Sequence, residues 1–299
     1  MPRWRGAEAL LSSAEMSDVR PIGVFDSGVG GLTVLRELRS QCPGERLLYL
    51  ADLAHFPYGP RYQHEVREFA LRIIEHLVAE DVKLVVIACN TATAAALHAA
   101  RERFDVPIVG VIAPGAQAAV ETTRNGRIAV ISTEGTFASQ QYLHAIKEAN
   151  PGVGVLPRAA PHLVDIVEAG QADSPAAEVA LAEVLEEVTG WGADTLVLGC
   201  THYPLLRPAL ARVAPGLAVV DSAETTAARV RRILAVNRLE AGAAGGPPPR
   251  LLVTGHPERF IDAAALLFGE APPVPEVLDL WGTGVAGAAG IPRLGMVAS

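Results

Sequence analysis

Short runs of Val, Ile and Leu recur along the chain, separated by longer segments of helical period, the alternation of an α/β fold with parallel sheets. The runs at 22–25, 47–50, 84–88, 108–112, 128–132, 153–156, 195–199, 217–220 and 251–254 read as strands. Most are apolar on both faces, as strands covered by helices on each side must be. The clearest helix spans 61–80, where Val66, Phe69, Ala70, Ile73, Ile74, Leu77 and Val78 recur three and four positions apart. Its apolar stripe is expected on a sheet. A Gly- and Pro-rich stretch at 242–249 reads as a loop, and residues 282–299, which lack periodicity, as a flexible tail.

A faint duplication runs through this pattern. Val24-Phe25-Asp26-Ser27 precedes Cys89 at nearly the interval by which Val130-Ile131-Ser132-Thr133 precedes Cys200, so two similar halves would each offer one cysteine.

Composition narrows the chemistry. A length of 299 residues suggests about two domains, and 50% hydrophobic with 19% charged residues provides for a sizeable core and excludes general disorder. A net charge of -8 and a pI near 5.5 give no positive field for phosphodiester backbones or anionic lipids, which excludes nucleic acid and membrane surfaces as partners. No apolar run reaches the roughly 20 residues of a spanning helix. Residues 1–20 carry Arg3 and Arg5 ahead of a short apolar run and read as a disordered extension, with Met16 as an alternative start.

Only two of the 25 basic residues, Lys83 and Lys147, are lysines. One precedes a buried strand and the other sits on the polar face of a helix, so neither suits a Schiff base. Cys42, Cys89 and Cys200 form no C-x-x-C pair, which fits free thiols in a reducing cytoplasm. The eight histidines include no H-x-H or H-E-x-x-H spacing, and no G-x-S-x-G elbow occurs, so neither a metal site nor a serine hydrolase is signalled.

The remaining candidates gather at strand ends. LVVIACNTA and DTLVLGCTHYP each place a cysteine where a buried strand stops and a helix is expected to begin, with Asn90 and Thr91 after one and Thr201 and His202 after the other. Ligands of open α/β sheets bind at such carboxyl ends, and helix N-terminal amides favour anions, which lowers a thiol's pKa and welcomes a carboxylate. Either cysteine alone is adequately explained as a small buried hydrophobe. The pair, with matching neighbours, points to function. Cys42, after a helix and before Pro43, reads as structural. FDSGVGGLT brings Asp26 and Ser27 to the first strand end beside Gly28, Gly30 and Gly31, but it is not a dinucleotide fingerprint because Thr33 stands at the last glycine position. Phe56-Pro57-Tyr58-Gly59-Pro60 and Ser132-Thr133-Glu134-Gly135-Thr136 are turns able to offer amides and hydroxyls, each equally read as a helix start.

IGVFDSGVGGLTVLREL, PYGPR, VVIACNTATAAAL, VGVIAPGA and DTLVLGCTHYPLL, in that order from about residue 21 to 281, closely resemble the glutamate racemases of the aspartate/glutamate racemase family. The resemblance implies a cofactor-independent isomerase with two doubly wound α/β domains related by pseudo-symmetry and an active site in the cleft between them. It further implies that Cys89 and Cys200 exchange a proton with the α-carbon of glutamate from opposite sides. Asp26 and His202 would assist one thiol each, with Glu168 near the second. Asp26, Ser27, Tyr58, Gly59, Asn90, Thr91, Thr133, Thr136, Thr201 and His202 would bind substrate. The product, D-glutamate, would supply peptidoglycan synthesis in the cytoplasm, and the enzyme would be a homodimer. This chain has Ala160-Pro161 where the family often has Cys-Pro, and Ser132-Thr133 where it often has Gly-Thr.

By the same analogy, residues 21–111 with 225–270 form the first domain and 112–224 with 271–281 the second. The rival readings are an aspartate racemase of the same fold, a single-cysteine decarboxylase, against which the second cysteine argues, and a silent amino-acid-binding module.

Overall fold

A computed structural model describes residues 17–242 and 245–282. Most of the expected extension and nearly all of the expected tail therefore lie outside the described residues. The chain alternates as β1 (Ile22–Asp26), α1 (Leu32–Gln41), β2 (Leu47–Ala51), α2 (Gln63–Ala79), β3 (Leu84–Ile87), α3 (Asn90–Arg103), β4 (Ile108–Gly110) and α4 (Ile112–Thr122). It continues through β5 (Arg127–Ser132), α5 (Glu134–Ser139), α6 (Gln141–Ala149), β6 (Gly154–Ala159), α7 (His162–Glu168), α8 (Pro175–Gly190) and β7 (Thr195–Gly199). A 3-10 turn (Tyr203–Leu206) leads into α9 (Arg207–Val213), β8 (Ala218–Asp221), α10 (Ser222–Asn237), β9 (Arg250–Val253), α11 (Pro257–Phe268) and β10 (Glu276–Val277).

All strand pairings are parallel, in a six-stranded sheet ordered β10-β9-β2-β1-β3-β4 and a four-stranded sheet ordered β6-β5-β7-β8. Within the first, β2-β1-β3-β4 repeats the order of the second, so β1 corresponds to β5 and β3 to β7. The faint duplication of the sequence is thus a duplicated topology. The reversal of direction on either side of β1 and of β5 opens a crevice at the strand ends of each domain.

Each sheet is covered on both faces, which is why its strands are continuously apolar. On the first, Ile22, Val24 and Tyr49 face α1, α10 and α11 through Val34, Leu38, Val230 and Phe260, while Phe25, Leu48 and Ile87 face the α2 stripe of Val66, Ile73 and Leu77. On the second, Leu196 and Leu198 meet α7, α8 and α9, and Ile128, Val130 and Val197 meet α4 and α6.

Two boundaries differ from expectation. Residues 276–277 were expected in the second domain, but β10 pairs with β9 of the first sheet, and Leu278, Leu280 and Trp281 pack on the first domain's core. The unpaired edge of β9 gives this segment its place. A two-residue strand behind Pro272, Pro273 and Pro275 carries no readable alternation. Residues 18–20 were expected to be disordered, yet Asp18 N–H donates to Glu240 O at 3.1 Å, and the buried Lys83 ammonium donates to Asp18 O and Leu239 O, both at 2.6 Å.

Lys83 also forms a buried ion pair with Glu45, whose other oxygen accepts the Ala241 N–H. The lysine thus joins β3 to Asp18 and to the segment after α10. We expect Glu45→Ala, which leaves the ammonium buried without its counter-charge, to destabilise the fold by about 3–5 kcal/mol. A lower urea midpoint at unchanged denaturant slope would show it.

Candidate active site

The first cysteine is set by the β3–α3 junction. Thr93 Oγ1 donates to Ile87 O at 3.0 Å and so fixes the turn, and Cys89 becomes the N-cap of α3, its Sγ accepting the Ala92 N–H at 3.4 Å. The second follows β7, but the expected helix does not begin there. Pro204 and Pro208 lie in the segment that follows, and the chain makes a 3-10 turn before α9. Cys200 is therefore not a helix cap. Both sulfurs are nearly closed off, Cys89 at 6% and Cys200 at 7% exposure.

Polar groups from both domains converge on them. Asp26, wholly buried at the end of β1, accepts the Gly28 N–H at 2.9 Å and, across the cleft, the Thr201 hydroxyl at 3.3 Å. Thr91 of α3 meets Thr133 at 2.9 Å and Thr136 at 3.2 Å, so three hydroxyls from opposite domains share one cluster. Gly59 O accepts the Gly135 N–H at 2.9 Å, which fastens the 56–60 turn to the start of α5. Asn90 Oδ1 accepts the Tyr142 hydroxyl at 2.7 Å, while Asn90 Nδ2 is buried and has no partner. Ser27 is buried beside Asp26.

Cys200 Sγ lies 3.8 Å from His202 Nδ1, and His202 Nε2 lies 2.6 Å from Glu168 Oε1. The carboxylate at the end of α7 is thus the outer member of a Glu168–His202–Cys200 chain. Of the sequence-derived site residues, direct contacts join Asp26 to Thr201, Thr91 to Thr133 and Thr136, and Cys200 to His202 and Glu168. Cys42 lies elsewhere, buried in the first domain's core, and burial pushes its thiol up to about 11. It stays a neutral structural thiol. Among the described residues no cluster of His, Cys, Asp and Glu is arranged to hold a metal ion.

The electrostatics of the two sulfurs differ. Burial, and then the Asp26 carboxylate, raise the Cys89 thiol above its ordinary value, while the Ala92 N–H opposes them and a charge on Cys200 adds to them. The helix N-terminus expected to favour a thiolate is therefore outweighed by desolvation. Burial likewise raises Asp26, against the opposing pull of the His202 charge, the Gly28 and Gly31 N–H groups and Thr201. For His202 burial works against the positive charge, but hydrogen bonds to Cys200 and Glu168 prevail and push it up to about 10. The cleft therefore sets a neutral thiol beside Asp26 and an imidazolium beside the second sulfur.

The sequence reading missed Asp52. It is fully buried at the end of β2 and accepts hydrogen bonds from the Tyr58 hydroxyl at 2.6 Å, Trp281 Nε1 at 2.9 Å and the Thr254 hydroxyl, with His55 Nδ1 at 2.9 Å. It ties the 56–60 turn to the end of β9 and to Trp281. Its signal was available, since Asp52 closes an apolar strand as Asp26 does. Tyr142, in the first turn of α6, carried no such signal.

Two α/β domains of one strand order, each ending its third strand in a cysteine at a shared polar cleft, define the class to which this chain is assigned, the racemases of amino acids and related compounds. The sequence pattern of the Asp/Glu/Hydantoin racemase family matches residues 22–230, and the chain belongs to that family. It is 48% identical to the glutamate racemase of Acidothermus cellulolyticus over 243 residues, 80% of this chain and 92% of that one. The crystal structure of a glutamate racemase isoform from Bacillus anthracis superposes with a TM-score of 0.81 at 38% identity, covering 86% of this chain and 96% of that one. The Francisella tularensis glutamate racemase, solved in complex with D-glutamate, gives 0.81 at 29% identity, covering 89% and 99%.

Two outcomes follow. His202 should stay protonated well above its ordinary 6.5 and titrate near 10, and Glu168→Gln should lower that value, both read from its imidazole resonances. Because the folded value is raised, the stability His202 contributes is complete below pH 6.5 and is lost as the pH climbs through about 10. At Gly30 an added Cβ would stand 2.5 Å from Thr201 Oγ1 and 2.8 Å from the His202 ring. Gly30→Ala should push that turn away and lower turnover by about 100-fold with the far-UV dichroism unchanged.

Proposed function

We propose that the chain interconverts L- and D-glutamate without a cofactor, with Cys89 and Cys200 acting as acid and base on opposite faces of the α-carbon. The observation that carries this reading is the equivalence of the two thiols. They follow β3 and β7, corresponding strands of two sheets of one order, and Thr201, the residue after Cys200, donates across the cleft to Asp26. A single-face reaction needs no such pair.

In one direction a Cys200 thiolate takes the α-proton, the Cα–H electron pair passing to the carbon as a new S–H bond forms. The Cys89 thiol then delivers its proton to the opposite face and is left as thiolate. The reverse reaction exchanges the roles. An amino-acid α-proton is far less acidic than a thiol, so the carbanion must be supported by oriented hydrogen bonds in a site closed to water. Asp26 assists Cys89, and His202, held by Glu168, assists Cys200. Ser27, Tyr58, Gly59, Asn90, Thr91, Thr133, Thr136 and Thr201, with Asp26 and His202, hold the substrate. The bound D-glutamate of the Francisella tularensis relative supports glutamate over aspartate as substrate. The reading includes supply of D-glutamate to peptidoglycan synthesis by a cytoplasmic homodimer. No helix among the described residues is long and apolar enough to cross a membrane.

The purified chain, given L-glutamate in deuterium oxide without pyridoxal phosphate, should invert its optical rotation and take up deuterium at the α-carbon, and should leave L-aspartate unchanged. Cys89→Ala and Cys200→Ala should each abolish inversion. Near-normal turnover of either variant in both directions would overturn the two-base mechanism.

A further inference from the structure

Asn90 follows Cys89 at the start of α3 and is 2% exposed, and its Nδ2 has no hydrogen-bond partner. Two amide hydrogens left unmade in a buried place are costly unless a ligand meets them. Which end of a carboxamide faces a ligand is decided by what holds the other end. Here that is Tyr142 of α6, from the opposite domain, whose hydroxyl donates to Asn90 Oδ1 at 2.7 Å.

We propose that Tyr142 is a positioning residue for substrate binding, its hydroxyl fixing the Asn90 carboxamide so that Nδ2 is aimed at a substrate carboxylate. The inference rests on the glutamate reading above and adds to it a residue that touches no substrate. Two features hold the phenol in place. Its ring lies so close to the chain at Gly199, the residue before Cys200, that an added Cβ there would stand 3.0 Å from Tyr142 Cε2. Its oxygen is closed in between α4 and α10, where a Cβ added at Gly115 would stand 3.5 Å from it and 3.4 Å from Ser222 Cβ. Turning the carboxamide over would strip the phenolic proton of its acceptor and present a carbonyl oxygen to the ligand. A carboxylate would then meet an acceptor where it needs a donor. The contact also crosses the cleft, so Asn90 is correctly set only when the two domains stand as they do here.

The test is a double-mutant cycle on the full chain, with KM and kcat measured for L-glutamate in wild type, Tyr142→Phe, Asn90→Ala and the double variant. Tyr142→Phe should raise KM about tenfold or more with kcat within about threefold, the signature of lost binding and not of lost chemistry. In the Asn90→Ala background the same substitution should add nothing further to KM. An unchanged KM in Tyr142→Phe, or the same rise in both backgrounds, overturns the inference, since a purely structural role would act whether or not Asn90 is present. If Tyr142→Phe does not fold, Asn90→Asp decides. It keeps an acceptor for Tyr142 but replaces the outward donor by an acceptor, so KM should rise at least as far as in Asn90→Ala, and a wild-type KM overturns the inference. A wild type inert toward glutamate sinks the functional reading and this inference with it. An active wild type with an insensitive Tyr142→Phe sinks the inference alone.

Discussion

Polar groups carried to the ends of buried strands must find partners out of water, and in this molecule they find them in the opposite domain. A buried donor or acceptor left unmade costs about 1–3 kcal/mol, more than one hydrogen bond typically contributes net. Asp26 is met by Thr201, Thr91 by Thr133 and Thr136, Asn90 by Tyr142, and Gly59 by Gly135. These contacts hold the domains at the spacing that places both sulfurs in one cleft. The partnerless Nδ2 of Asn90 marks a place where the protein alone leaves that requirement unmet.

The duplication of the strand order explains why there are two thiols, and the departures from it explain why they differ. Asp26 closes β1 where Ser132 closes β5, so of these two corresponding strands only the first ends in a carboxylate. Cys89 caps an α-helix, whereas Cys200 enters a 3-10 turn that carries His202 back toward the sulfur. Burial beside Asp26 favours a neutral thiol on one side, and the Glu168–His202 pair sets a positive charge on the other. A symmetric scaffold thus bears an asymmetric distribution of charge, as a reaction needs when it begins with one group protonated and the other not.

The floor of the cleft is supported from behind by Asp52, which gathers Tyr58, Thr254, Trp281 and His55 around one carboxylate. Trp281 reaches this point because the last strand returns to the first sheet. Trp281, remote in sequence from the thiols, is thereby joined through Asp52 to Tyr58 of the 56–60 turn.

The sequence alone determined the parallel α/β class, the nine longer strands, the α2 stripe and the position of both cysteines at strand ends, because each is written in local periodicity or in adjacent residues. Asp26, Ser27, Thr91 and Thr201 were legible for the same reason, whereas Glu168 was placed near the second thiol only through resemblance and its pairing with His202 was not legible. Tertiary structure decided what depends on distant segments meeting: the placement of β10 beside β9, the gathering at Asp52, the hold of Tyr142 on Asn90, and the ionisation of Cys89. In that last case the local pattern pointed the wrong way. A helix N-terminus acts over one turn of chain, but desolvation depends on everything packed around the sulfur, and no stretch of sequence records how deeply a residue is buried by the opposite domain.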